Sequence, residues 1–185
     1  QVLPEVFLKV VKAKELLAEA GYGDGLDLKM YVSGEVRSRA AQVVQAQLAQ
    51  VGINVDINVY EWGAFQDAIN AGEHDLLILG WVNTTCDPAY SVTQLFHSRN
   101  CGMSGNRAYL KDDKVDEMID AAAMETNREK RLQIYKDLQV RLNELCPWVP
   151  LYYKYSMVGR RSDLKGFKFN KNTSFHYLGD CYYEK

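Results

Sequence analysis

Eight residues, Ile53-Asn54-Val55-Asp56-Ile57-Asn58-Val59-Tyr60, alternate apolar and polar without interruption. A period of two puts every second side chain on one face, so this run predicts a strand with one buried face. Leu26 to Val32 alternates in the same way. Between them, Glu35 to Val51 follows a helical period, with Ala40, Val43, Val44, Ala46, Leu48 and Val51 set to face a core and Gly52 to stop it. Trp62 to Ala71 reads as a short helix, and Leu76 to Trp81 as an apolar strand covered on both sides. Strand, helix, strand, helix, strand in this order predicts an α/β fold with a mostly parallel sheet flanked by helices.

Around this block lie other readable elements. A helix carries Val10, Ala13, Leu16, Leu17 and Ala20 and ends near Gly21. After Trp81 the pattern changes: 83–88 is loop chemistry, 89–96 a short helix, and 97–110 a long irregular segment. Asp112 to Met124 is helical. Thr126 and Glu129 match a capping box for the next helix, whose stripe is Leu132, Tyr135, Leu138, Leu142 and Leu145, with Pro147 ending it. The stretch 148–155 is extended and aromatic, and Phe167-Lys168-Phe169 reads as a short strand.

With 185 residues, 47% hydrophobic and 25% charged, the chain has globular composition and the length of one domain. A net charge of −2 without a basic block argues against a nucleic-acid partner, because that affinity rests on neutralising phosphates. The longest apolar run, Leu76 to Val82, is far short of the ~20 residues of a membrane helix. No leader is read in Gln1-Val2-Leu3-Pro4, so export would require one upstream. No nucleophile elbow, metalloprotease motif, P-loop or dinucleotide fingerprint is present, and no catalytic residue or cofactor is expected. Nor is a metal site: His74, His97 and His176 are far apart, and the cysteines lack ligand spacing.

The four cysteines, Cys86, Cys101, Cys146 and Cys181, are either reduced or paired in one of three ways; Cys86 with Cys101 is the pair to test first, since both fall in one loop-rich stretch. Two glycosylation-like triplets, Asn83-Thr84-Thr85 and Asn172-Thr173-Ser174, are short enough to arise by chance.

Several stretches, in order, resemble the C-terminal lobe of the peptide/nickel-type (family 5) extracellular solute-binding proteins of ABC importers. They are Ala13 to Tyr22, Gln47 to Ile53, Tyr60-Glu61-Trp62, Gly72-Glu73-His74-Asp75, Leu79-Gly80-Trp81 with Asp87-Pro88, and Pro147 to Tyr152. The resemblance implies one lobe of a two-lobed periplasmic-binding-protein-like fold. Residues 1–185 would form the ligand-binding lobe, with about 150–185 crossing back to a missing N-terminal lobe. It implies capture of a peptide or peptide-like solute, delivery to ABC permease subunits, an extracytoplasmic location (periplasm or surface lipoprotein), and no covalent chemistry. Sensing without transport and binding of a metal chelate, as in the nickel branch, are the alternatives.

Ligands of open α/β sheets bind beyond the carboxyl ends of the strands. The apolar strand is read as the central, most buried one, so its exit is the expected site: Gly80, which lets another backbone approach, Trp81 as an aromatic platform, then Val82, Asn83, Thr84, Thr85 and Asp87, with Tyr90 in reach. Relatives that hold a peptide amine use an acid three positions after this Trp. Thr84 stands there, and Asp87 is the nearest acid, as amine partner or as turn and helix cap. Relatives that hold a peptide carboxylate use an Arg before the second helix, where Tyr31-Val32-Ser33 has none; Arg37 and Arg39 come later. Trp62 matches a position lining a side-chain pocket.

Overall fold

The computed structural model describes residues 2–102, 105–153, 155, 157–170 and 176–184, with only the backbone for 2–8. The triplet at 172–174 lies outside the described residues. Helix α1 spans Val2–Glu19. Strand β1 (Leu26–Ser33), helix α2 (Glu35–Ala49), strand β2 (Ile53–Tyr60), helix α3 (Trp62–Ala71) and strand β3 (Leu76–Leu77) follow. The sheet order is β2-β1-β3 and both pairings are parallel. In register, Leu26 meets Ile53 and Ser33 meets Tyr60, while Met30 and Tyr31 meet Leu76 and Leu77.

Alternation along β1 divides two cores. Met30 and Val32 face Ala41, Val55 and Ile78, with Ala40, Val44 and Leu48 of α2 packed against them. Tyr31 faces the other way, onto Phe65 and Ile69 of α3, with Leu77 and Leu79 alongside. The central, most buried strand is thus β1, not the apolar run at 76–81. That run is covered on both sides as expected, since Leu76 and Ile78 join one core and Leu77 and Leu79 the other. Its ladder, however, is confined to Leu76–Leu77, and β3 is an edge of the described sheet. Val43 and Val59, expected to face the core, are exposed.

These elements form one compact unit, Gln1–Trp81; Val82–Lys185 forms a second. In the second unit, α4 (Pro88–Phe96), a 3-10 turn (Ser98–Asn100), α5 (Asp113–Met124) and α6 (Arg128–Leu145) surround a core of Val115, Ile119, Ala122, Tyr135 and Leu138. The α6 cap is Asn127, whose side chain accepts from the Lys130 N–H at 3.1 Å, rather than Thr126. Asn is as good a cap as Thr, so the helix start shifts by one residue, and Lys130 then stands where a capping box would need Glu or Gln. Two short antiparallel strands, β4 (Leu164–Lys165) and β5 (Tyr182–Tyr183), pair near the end. The strand expected at 167–169 is therefore displaced toward the N-terminus, where a partner exists. Residues 149–153 belong to no strand, and Tyr152, Tyr153 and Tyr155 are exposed.

Candidate functional site

At the carboxyl edge of the first unit, β1 and β2 end together at Ser33 and Tyr60. Gly34, at φ 85°, turns the chain directly into α2, a conformation side chains rarely adopt. Glu61 starts α3 by accepting from the Gly63 N–H at 2.8 Å. The next residue, Trp62, is 48% exposed although its ring lies 5.8 Å from the fully buried Phe65 ring. From the first turn of α2, Arg37 donates from Nη1 to the Ser33 carbonyl at 3.1 Å, and its guanidinium lies 5.8 Å from the Trp62 ring centroid. That distance is within cation–π range. Phe65, Trp62 and Arg37 thus form a series running from core to solvent. Behind it, hydrogen bonding to Tyr60 together with burial pushes the Tyr31 phenol up to about 12, so it stays protonated at neutral pH.

Gly80 is exposed, and among the described residues no atom beyond its chain neighbours lies within 4 Å of where its Cβ would sit, so the space beside it is open. Trp81 is half-buried, not sunk within the sheet packing, and closes the first unit.

The loop from Val82 opens the second unit and is fixed by its own polar groups. Asn83 Oδ1 accepts from the Thr85 N–H at 3.1 Å and the Thr85 hydroxyl at 3.0 Å, while Asn83 Nδ2 donates to the Asp87 carbonyl at 2.8 Å. The Asp87 N–H donates to Thr85 Oγ1 at 3.2 Å. Asp87 Oδ1 accepts from the Ala89 N–H at 2.8 Å, capping α4 ahead of Pro88. Both carboxylate oxygens also take Arg131, at 2.7 and 3.1 Å. The Arg131 guanidinium, then the Ala89 N–H, hold this carboxyl below the usual range. Asp87 is therefore a helix cap and ion-pair partner, committed before any amine arrives. Val82, Thr84 and Thr85 are exposed, and Tyr90 is half-buried in the first turn of α4.

Cys86 and Cys101 are both free thiols, as are Cys146 and Cys181. Cys86 is exposed at φ 58°, whereas Cys101 Sγ lies 3.6 Å from Asn106 Nδ2. Among the described residues no three His, Cys, Asp or Glu side chains are grouped to hold a metal ion. Two cavities of about 570 and 340 Å³ belong to the second unit, and neither is lined by Trp62, Trp81 or the 82–87 loop. The exposed Trp62 face on the first unit is an open surface, and because small-ligand sites enclose most of their ligand's surface it needs an opposing wall.

Sequence reading found Trp62 but missed its partnership with Arg37. It also missed Arg131, which has no local signal because its acid lies 44 positions away.

Residues 4–102 match the profile of the bacterial extracellular solute-binding proteins, family 5, in its middle region. The chain belongs to this family. Among its family 5 relatives, di/tripeptide-binding protein 2 of Pseudomonas aeruginosa (strain UCBPP-PA14) is 32% identical over 86% of this chain and 31% of its own length. Heme-binding protein A of Haemophilus influenzae is 30% identical over 84% of this chain and 29% of its own length. The fold matches that of the ABC transporter-associated periplasmic binding protein DppA from Helicobacter pylori, solved with the peptide STSA. There the TM-score is 0.81 at 32% identity, covering 94% of this chain and 34% of that one. The chain is thus built like part of a periplasmic-binding-protein fold and spans about a third of the length of these family 5 relatives.

Proposed function

We propose that this chain is the C-terminal ligand-binding lobe of a protein that captures a peptide or peptide-like solute outside the cytoplasm for an ABC importer. The observation that carries this reading is the half-exposed Trp62, backed by Phe65 and flanked by Arg37, on an open edge at the carboxyl ends of a parallel sheet. Such an edge is where α/β folds bind ligands. Being open, it is suited to closing against a second surface, which the rest of the protein supplies. Peptide as the solute is supported by the likeness to a di/tripeptide-binding protein and to a binding protein solved with the peptide STSA. The chain performs no covalent chemistry on the solute, and permease subunits of the importer are its partners.

The contacts offered by the first unit are Trp62, Gly80 and Trp81, and those offered by the second are Val82, Thr84, Thr85 and Tyr90. Asn83 and Asp87 shape the loop. The exposed aromatic stretch with Tyr152, Tyr153 and Tyr155 returns toward the missing lobe. Peptide affinity in this arrangement rests on backbone hydrogen bonds, with side chains accommodated in tolerant pockets.

Isothermal calorimetry of the intact protein with di- and tripeptides tests this. Binding heat for several peptides is the expected result. No heat with any peptide, while hemin titrated in parallel gives a saturable Soret shift, would transfer the chain to a different solute class.

A further inference from the structure

We propose that His97 is a proton-operated switch where the end of α4 meets α5. Neutral, its ring caps the 98–100 turn; protonated, it releases that cap and holds α5 instead.

His97 directly follows α4 and is buried. Its Nδ1 accepts from the Arg99 N–H at 3.2 Å, which places the proton of the neutral ring on Nε2. The same Nδ1 stands 3.2 Å from Asp116 Oδ1 on α5. In the neutral ring that approach sets a lone pair against a carboxylate oxygen; in the protonated ring it becomes a charge-assisted hydrogen bond. One nitrogen cannot accept from Arg99 and donate to Asp116 at once, so the two arrangements exclude each other. Asp116 is already held in place, accepting from the Ser98 N–H at 2.9 Å and from the Ser98 hydroxyl. On the other side of the ring, Nε2 is buried and makes no hydrogen bond among the described residues, although Asp120 Oδ1 lies 3.4 Å away. The charged groups facing the ring are therefore Asp116 and Asp120 from α5 and, from its own turn, Arg99, whose Nη1 lies 3.6 Å from Asp120 Oδ1. Helix α4 carries no charged side chain. The 101–110 segment, which includes Arg107, reaches His97 through neutral Asn106, whose Nδ2 donates to the His97 carbonyl. Imidazole exchanges its proton between about pH 5 and 8. Taking one up trades one hydrogen bond for another, so the turn changes locally while overall stability stays nearly level.

A histidine kept only for packing predicts that the Arg99 amide ignores the state of the ring, and that separates the two. The test uses the intact protein labelled with nitrogen-15 histidine and arginine, followed by NMR from about pH 5 to 8. H97N and R99K assign the ring and amide signals. At the alkaline end, the ring shifts should show Nδ1 bare and Nε2 protonated. As pH falls through the ring's own transition, protection of the Arg99 amide, corrected for intrinsic exchange, should drop severalfold. H97N puts a capping oxygen near the position of Nδ1 that does not titrate, so its Arg99 protection should stay level across the range. An Nδ1-protonated tautomer at the alkaline end, a ring that does not titrate in this range, or level Arg99 protection in the wild type overturns the proposal. An equal drop in H97N overturns it as well. The wild-type series decides the matter even if H97N does not fold.

Discussion

Arg131 grips both carboxylate oxygens of Asp87, Nη2 on Oδ1 at 2.7 Å and Nη1 on Oδ2 at 3.1 Å. The same guanidinium lies 5.1 Å from the Tyr135 ring centroid, donates to its hydroxyl at 3.0 Å, and reaches the Ala122 carbonyl through Nε at 3.2 Å. One acid thus starts α4, and one base ties it to the end of α5 and the start of α6. Asp87→Ala removes both the cap and the ion pair. The cap is worth about 1 kcal/mol, and a half-exposed pair adds up to about 1 kcal/mol. Asp87→Asn keeps a capping oxygen and should lose roughly half as much. Denaturant unfolding of the intact protein followed by tryptophan fluorescence measures both. Equal loss in the two variants would show that charge, not capping, dominates.

Asp112 repeats the device. It caps α5 by accepting from the Val115 N–H at 2.9 Å and takes Arg141 Nη2 at 2.6 Å. Arg141 above all, then the Val115 N–H, lowers its pKa, as Arg131 and the Ala89 N–H lower that of Asp87. A carboxyl with a depressed folded pKa stabilises the fold above its unfolded value, and that contribution is lost as pH falls through the folded value. Stability should therefore be flat near neutrality and decline below about pH 4, where unfolded aspartates begin to take protons. The D87N/D112N double variant should show a shallower acid limb in a pH series of thermal melts. An unchanged limb would mean that other groups govern acid unfolding.

Periodicity made the first unit readable almost residue by residue. The helix at Trp62–Ala71 and the strand at Ile53–Tyr60 have the expected bounds, because each buries its own apolar positions. Signals from distant residues were not readable. The apolar run at 76–81 suggested the central strand, yet hydropathy reports burial and not ladder length, and β1 takes the centre because strands pair with it on both sides. Asp87 could be read as cap or amine partner until Arg131 appeared beside it. At the site, residue types were visible in Trp62 and Arg37; their stacking needed the crossover that brings the α2 and α3 starts to one edge.

Asn106 shows how the irregular segment is held without strands. It is fully buried, with Nδ2 directed to the His97 carbonyl at 3.2 Å and the Leu110 carbonyl at 2.9 Å, and Oδ1 accepting from the Leu110 N–H at 3.2 Å. Beside it, Gly105 at φ 135° has the Gln94 carbonyl oxygen 2.7 Å from its Cβ position, so any side chain would collide with backbone. Asn106→Leu is close in volume but leaves several buried backbone groups unpaired, at about 1–3 kcal/mol each. A loss of roughly 3 kcal/mol or more in denaturant unfolding is expected, with faster amide exchange across residues 97–110. A loss under about 1 kcal/mol would show that water or a shifted loop satisfies those groups.

The thiols separate by exposure. Cys86 is exposed in its loop, and Cys101 is partly covered beside Asn106. In native protein a maleimide should label Cys86 quickly and Cys101 slowly, with Cys86→Ser shifting stability by no more than about 0.5 kcal/mol. If both resist labelling until a reductant is added, and then react, the two are bonded to each other, and the loop is closed covalently.

Phe65 and Trp62 offer the cleanest separation of folding from binding, because they touch at 5.8 Å yet lie on opposite sides of the surface. Phe65 is fully buried against Tyr31 and Ile69. Truncation to Ala empties a site that packed neighbours refill only in part, at about 3–5 kcal/mol. Trp62 leaves nearly half its surface in water, so Trp62→Ala sacrifices far less packing, while removing the face on which Arg37 rests. Phe65→Ala should therefore lower the melting temperature with peptide affinity retained in the folded fraction. Trp62→Ala should do the reverse, weakening peptide binding severalfold with a small change in melting. If Trp62→Ala destabilises as much as Phe65→Ala, its ring belongs to the core, and the exposed edge of the sheet loses its candidate platform.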